Sequence, residues 1–251
     1  MIKIFSKIAS FFTHKDKNNL SAIILCAGAS TRFSNGEESK QMALVNGASV
    51  AERAIRAFDE AKAVGEIIVV VRKEDAEAYK DFIQEKGFSK VKCIVTGGET
   101  RQISAMRGFK HIDENAKYVA IHDGARCLIT SDEIEQVFKE AIEFGAATAA
   151  TKITDTVKIA DEDGFISHTI DRTYVWNVQT PQIFEVIKYK KALHKALTDQ
   201  LEVTDDCMLF ENAGYKVKLV NTGPNNIKIT VKDDISRAEA ILIQKGETKW
   251  E

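Results

Sequence analysis

Apolar runs of strand length alternate with stretches of helical periodicity along most of the chain. Continuous apolar segments fall at residues 22–26, 67–71, 91–95, 118–121 and 146–151. Between them, apolar positions recur at helical spacing over 50–63, 75–85, 102–112 and 132–144. Strands that read as unbroken apolar runs are those covered by helices on both faces. The alternation therefore predicts βαβ units and a mainly parallel sheet. Ser131, just ahead of Asp132 and Glu133, is the expected start of the fourth helix. After Thr151 the period changes. Residues 156–160 and 165–170 alternate apolar with polar around Asp163-Gly164, which predicts a β-hairpin standing out from the domain. Arms of this kind often serve a second subunit. Further strands are expected near 174–179, 216–220 and 227–231, and helices near 185–198, 205–212 and 233–244. No linker or repeat interrupts the pattern. It describes one domain over 21–246 with an arm at about 152–178, preceded by an extension, 1–20.

Composition narrows the class. The chain has 251 residues, 44% of them hydrophobic, and a formal net charge of −2. That length supports a substantial core, and the charge leaves no global basic field to hold nucleic acid. Any polyanion must be met by a local cluster of cations. Cys26, Cys93, Cys127 and Cys207 are widely spaced with no CxxC pair, so neither a zinc site nor a disulfide framework is expected. A reducing cytoplasm is the natural compartment. No apolar run approaches the length of a membrane-spanning helix. Within 1–20, Ile4, Phe5, Ile8, Phe11 and Phe12 recur at helical spacing among Lys3, Lys7 and Lys15. This suits a short cationic helix touching a membrane or partner, or an extension lying against the domain, and the second reading is preferred. Lys7 interrupts the apolar region and no cleavage site follows, which argues against a signal peptide.

Several loops carry candidate chemistry. The first, 27–40, follows the first strand, where ligands of open α/β sheets bind. Gly28 lets backbone approach a ligand, and Arg32 and Lys40 add a forked and a point cation suited to triphosphate oxygens. Two solvated surface charges are the alternative. Neither GxGxxG nor a Gly-Lys-Ser/Thr loop is present. In the second, His122-Asp123-Gly124-Ala125-Arg126, Asp123 can hold Mg²⁺ with phosphate oxygens or merely cap a turn. His122 can order that turn, and Arg126 more naturally braces the loop than binds phosphate. The third, from Gly97 to Ser104, again brings backbone near a ligand, and Ser104 suits a base or ribose; a plain helix start is the alternative. Thr156, Asp171, Arg172 and the run from Gln179 to Gln182 flank the exposed strands. Lys228 lies inside a short apolar strand and must find water or an anion, unless it only guards a sheet edge.

Taken in order, these segments resemble the 2-C-methyl-D-erythritol 4-phosphate cytidylyltransferase family from about Ser21 to Gln244. The motifs are Ala-Gly-x-x-x-Arg, Lys-Gln, Gly-Gly-x-x-Arg-x-x-Ser, His-Asp-x-Ala-Arg and Asn-Ile-Lys, with the run from Asp171 to Gln182. The resemblance implies a Rossmann-like, nucleotide-binding three-layer sandwich with a protruding β-hairpin arm. It implies a reaction in which the phosphate of methylerythritol phosphate attacks the α-phosphorus of CTP and pyrophosphate leaves, in the non-mevalonate isoprenoid route. By motif, Arg32 and Lys40 would stabilise transition-state charge and Lys228 would bind near the α-phosphate. Asp123 would ligate Mg²⁺ or another divalent cation. Cys26, Ala27, Gly28, Gly98, Glu99 and Ser104 would hold the cytidine, largely through backbone. Thr156, Arg172 and Thr180 would grip the polyol phosphate, partly across a homodimer formed through the arm.

Two positions depart from the family. Ser39 stands before Lys40 and Cys127 after Arg126, where the family often has proline. Each loses a φ restraint, so both loops are expected to be more mobile. Rivals are a ribitol-5-phosphate cytidylyltransferase, a glycosyltransferase on a similar fold, and a non-catalytic nucleotide-binding scaffold. Gly-Gly-Glu-Thr-Arg and the Asp171-Arg172…Trp176 run favour the methylerythritol acceptor. Asp161-Glu162-Asp163 has the letters of a glycosyltransferase metal motif but sits in the expected hairpin turn. Arg32, Lys40, Asp123 and Lys228, all present, speak against the scaffold.

Overall fold

A computed structural model describes residues 19–28, 30–34 and 39–247. The amphipathic pattern of the extension, Asn19 and Leu20 aside, falls outside these residues. Among the described residues the strands are β1 (Leu20–Leu25), β2 (Leu44–Val45), β3 (Ala48–Ser49), β4 (Val64–Val71), β5 (Val91–Thr96), β6 (Tyr118–Asp123), β7 (Ala146–Lys152), β8 (Lys158–Ala160), β9 (Ile166–Thr169), β10 (Trp176–Glu185) and β11 (Lys218–Asn221). The helices are α1 (Thr31–Ser34), α2 (Val50–Glu60), α3 (Ala76–Lys86), α4 (Arg101–Phe109), α5 (Ser131–Phe144), α6 (Val186–Thr198), α7 (Asp206–Asn212) and α8 (Asp233–Gln244).

The main sheet has seven strands in the order β11-β7-β10-β6-β1-β4-β5. β1 pairs in parallel with β4 and β6, β4 with β5, and β7 with β11, whereas β10 runs antiparallel to both its neighbours. Side chains of β1 show why its sequence is apolar throughout. Leu20, Ala22 and Ile24 enter a core with Ile55 and Phe58 of α2 and Phe138 of α5, while Ile23 and Leu25 enter a second core with Ala105 of α4 and Tyr189 of α6. Both faces are covered, so the fold is the expected three-layer sandwich. A third cluster joins Phe33, Val45, Cys127, Leu128 and Ile229 to Leu242 of α8.

The arm is formed by β8 and β9, antiparallel and exposed on every residue of both strands. α5 begins at Ser131, as expected, with Thr130 as its N-cap in a reciprocal capping box with Glu133, an arrangement worth about 1 kcal/mol. Two expectations are corrected. Residues 227–231 form no strand; Ile229 is fully buried as a loop residue, its N–H bonded to the Ala125 carbonyl at 2.8 Å. Finally, β10 extends to Glu185, well beyond 179. Among the described residues no helix is long and apolar enough to cross a membrane.

Candidate active site

Chain order reverses beside β1, which has β4 on one side and β6 on the other. Such a switch point opens a crevice at the carboxyl ends of the strands. The ends of β1, β5 and β6 here frame a cleft of 320 Å³ lined by Ala27, Gly28, Lys40, Gly98, Glu99, Ser104, Arg101, Asp123 and Lys228.

Local structure explains the shape. A Cβ on Gly97 would lie 2.5 Å from that of Ala27, and one on Gly98 would lie 2.1 Å from Ile103 Cγ2, so neither loop position admits a side chain. The Ser104 hydroxyl accepts from the Gly98 N–H at 3.0 Å and fixes that loop. Thr100 caps α4 by accepting from the Ile103 N–H at 3.1 Å. Across the cleft, Ser30 stitches the first loop, its hydroxyl accepting from the Lys40 N–H at 3.2 Å. The Lys40 ammonium lies 4.0 Å from where a Gly28 Cβ would stand, so the cation sits over the β1 turn. Burial, then the charge of Lys228, pushes the Lys40 ammonium below its ordinary pKa. An anion entering the cleft would relieve that repulsion.

Asp123, at the end of β6, is the electrostatic hub. Its Oδ1 accepts from Arg101 Nε at 3.0 Å and its Oδ2 from Lys228 Nζ at 2.6 Å. Burial works to raise its carboxyl pKa, but Arg101 and then Lys228 outweigh burial and hold it well below the usual carboxylate range. Among the described residues no group of three or more His, Cys, Asp or Glu converges as a metal cage. Magnesium needs none, because it takes one or two carboxylates and completes its shell with phosphates and water. Asp123, with Glu99 on the same lining, is a donor set of that kind.

A family-level comparison places the chain: the model for IspD, 2-C-methyl-D-erythritol 4-phosphate cytidylyltransferase, matches residues 20–244. The chain belongs to this family. A 2-C-methyl-D-erythritol 4-phosphate cytidylyltransferase of Caldanaerobacter subterraneus subsp. tengcongensis is 44% identical over 225 residues, covering 89% of this chain and 99% of that protein. The crystal structure of the 4-diphosphocytidyl-2C-methyl-D-erythritol synthase of Anaerococcus prevotii superposes with a TM-score of 0.80 at 35% identity, covering 91% of this chain and 97% of that one. That of the 2-C-methyl-D-erythritol 4-phosphate cytidylyltransferase of Thermus thermophilus gives 0.70 at 26%, covering 88% and 97%.

Within this cytidylyltransferase, Lys40, Lys228 and Asp123 meet in the cleft with Ala27, Gly28, Gly98, Glu99 and Ser104. Other candidates lie elsewhere. Arg32 is exposed on α1 and outside the lining, although its charge acts on Lys40. Cys26 turns its thiol inward, where burial pushes it up to about 12, and its N–H bonds Val70 O at 2.7 Å. Thr156 and Arg172 are exposed near the arm, with Arg172 bonded to the Thr154 carbonyl. Thr180 is buried, and its hydroxyl accepts from the Asp123 N–H at 3.0 Å and lies 3.0 Å from His122 Nδ1. In one chain it braces the Asp123 turn from behind.

Arg101 is a site residue that the sequence motifs do not assign. It bridges Asp123 and the buried Asp206; its place in Gly-Gly-x-x-Arg-x-x-Ser was the available signal. His122 orders the Asp123 turn, as its position suggests. Its Nε2 lies 3.2 Å from the Arg126 carbonyl, so Nε2 carries the proton and Nδ1 accepts from Thr180. Burial pushes this imidazole down to about 3. It stays neutral in the fold but protonates in the unfolded chain below pH ~6.5. Its contribution is therefore complete above that pH and declines as pH falls toward the folded value, by up to about 1.4 kcal/mol per pH unit. Urea unfolding across mildly acidic pH should show this slope, and His122→Gln should reduce it by about one proton. An unchanged slope in the variant would contradict the assignment.

Proposed function

We propose that this protein transfers a cytidylyl group from CTP to 2-C-methyl-D-erythritol 4-phosphate, releasing pyrophosphate. The observation that carries this reading is the meeting of Lys40, Lys228 and Asp123 at the switch point, beside glycine loops that only backbone can occupy. Gly28, Gly98, Glu99 and Ser104 would present backbone and hydroxyl groups to the cytidine. Lys40 and Lys228 would neutralise the triphosphate, with Arg32 joining from α1. Both reactants are polyanions, so their approach is opposed by Coulomb repulsion that these cations offset. An acceptor phosphate is already ionised and needs no general base. Its oxygen attacks the α-phosphorus as the bond to the β-phosphate oxygen breaks, and no proton changes hands. What the chain supplies is positioning and charge stabilisation. A divalent cation at Asp123, if bound, would add further neutralisation of the phosphates.

Thr156 and Arg172 lie outside the cleft of their own chain, which suits a homodimer whose arm serves the partner's site. Exposed Phe165, Ile166 and Tyr174 in and beside the arm support that arrangement. Sedimentation at micromolar concentration should give a dimer; a monomer would remove the cross-subunit role of Arg172. The four free cysteines fit a reducing cytoplasm. Pyrophosphate release with Mg²⁺, CTP and each acceptor tests the reaction. Release with methylerythritol phosphate alone is expected. Release only with ribitol 5-phosphate would transfer the protein to the sister activity, and none with either would favour a non-catalytic role.

A further inference from the structure

The two cations on Asp123 are held in different ways. Arg101 is anchored twice, with Nε on Asp123 Oδ1 at 3.0 Å and Nη1 on Asp206 Oδ2 at 2.6 Å. Asp206 is 2% exposed, and it also accepts from the Tyr189 hydroxyl at 2.7 Å while its N–H bonds Gln182 Oε1 at 2.9 Å. Arg101 cannot leave without stranding a buried carboxylate. Lys228 reaches Oδ2 at 2.6 Å from the loop after Asn226, and its side chain is 37% exposed. Among the described residues its ammonium has no second anchor. One oxygen is thus tied to a fixed cation, and the other to a cation on a flexible stem facing the cleft.

We propose that Lys228 is an exchangeable counter-ion. It holds Asp123 Oδ2 in the metal-free protein and gives that oxygen up when a divalent cation binds, swinging onto ligand phosphate, while Arg101 keeps Oδ1 throughout. This rests on the reading above in one respect, that Asp123 is the carboxylate a metal meets. Ammonium and metal on Oδ2 at contact distance repel each other, because both are positive, so the metal favours release of Lys228. Lys228 is then both a competitor for the metal and a phosphate ligand once displaced. The consequence is unusual for a residue of a binding cleft: removing it tightens the binding of the metal.

Mn²⁺ alone is the probe, titrated into nucleotide-free protein and followed by water-proton relaxation. Lys228→Gln should bind Mn²⁺ about tenfold more tightly than wild type, the size of effect one close charge typically has. Asp123→Asn should abolish the tightening in the Lys228→Gln background. Lys40→Gln is the control, because Lys40 also lines the cleft without touching Asp123 in the hydrogen-bond network. Mn²⁺ binding to Lys228→Gln no tighter than to wild type, including no detectable binding in either, would overturn the proposal. Equal tightening by Lys40→Gln would also overturn it, because the effect would then be general electrostatics. Thermal unfolding of each variant checks that the fold persists. Failure of the wild type to release pyrophosphate would refute the reaction and leave this metal result standing.

Discussion

Lys40→Ala is expected to cut turnover by about 10²–10³-fold, the usual loss when one preorganised donor to transition-state charge is removed. Its stability should change little. The Lys40 ammonium is held in a partly buried position beside Lys228, and both burial and that neighbour disfavour its charge. The ligand-free fold therefore gains nothing from it electrostatically. Its value appears only when phosphate arrives, which marks a group kept for the reaction and not for folding. Arg32→Ala should lose turnover on the same scale, also without a stability cost, because Arg32 is exposed and outside the cleft lining. Steady-state kinetics beside thermal unfolding separates the effects. Near-normal turnover in either variant would remove that residue from the mechanism.

Arg101→Ala is expected to act the opposite way, with a large loss of stability. The change strips the one cation that, among the described residues, is bonded to Asp206, which is 2% exposed. It also removes one of the two cations on Asp123. Breaking one side of a buried pair typically costs about 3–5 kcal/mol, because the remaining charge is left uncompensated. Asp206→Asn should recover much of that loss in the double variant, since the stranded charge is then gone. Urea unfolding of the four proteins forms the cycle. A loss below about 1 kcal/mol for Arg101→Ala would place the pair in the class of solvated surface bridges.

These two residues mark what could and could not be read from the chain. Gly28 and Lys40 lie on the same stretch after β1, and the ammonium comes 4.0 Å from where a Gly28 Cβ would stand, so one segment of sequence carries both. Arg101 and Asp206 are separated by 105 positions and meet only because α4 and α7 pack on the same face of the sheet. No local pattern reports such a pair. The same limit explains β10. A strand is expected near 174–179, and Pro181, which lacks a donor, disfavours extending it through 181. The sheet absorbs the proline through a register shift between Val178 and Gln182 opposite β7. Strand direction is likewise absent from a hydrophobic pattern, so the antiparallel insertion of β10 emerges only from topology. At 227–231 the apolar residues report burial correctly but not extended pairing. Ile229 is buried in the cluster beneath α8, and the loop carries Lys228 toward Asp123.

Cys127 shows a departure taken up by packing. The residue is 3% exposed among Phe33, Leu128 and Ile229, so apolar contact holds the loop where a ring would have restricted φ. The counterpart at Ser39 has the Lys40 N–H bonded to Ser30 Oγ as its local tether.

In the proposed reaction the acceptor's own phosphate oxygen attacks CTP in this cleft. The most direct measurement uses methylerythritol phosphate labelled with ¹⁸O in its phosphate, incubated with CTP, Mg²⁺ and the protein, with both products analysed by mass. All of the label should stay in the cytidine-diphosphate product, and pyrophosphate should carry none. Label in pyrophosphate, or consumption of CTP without a labelled diphosphate product, would contradict it.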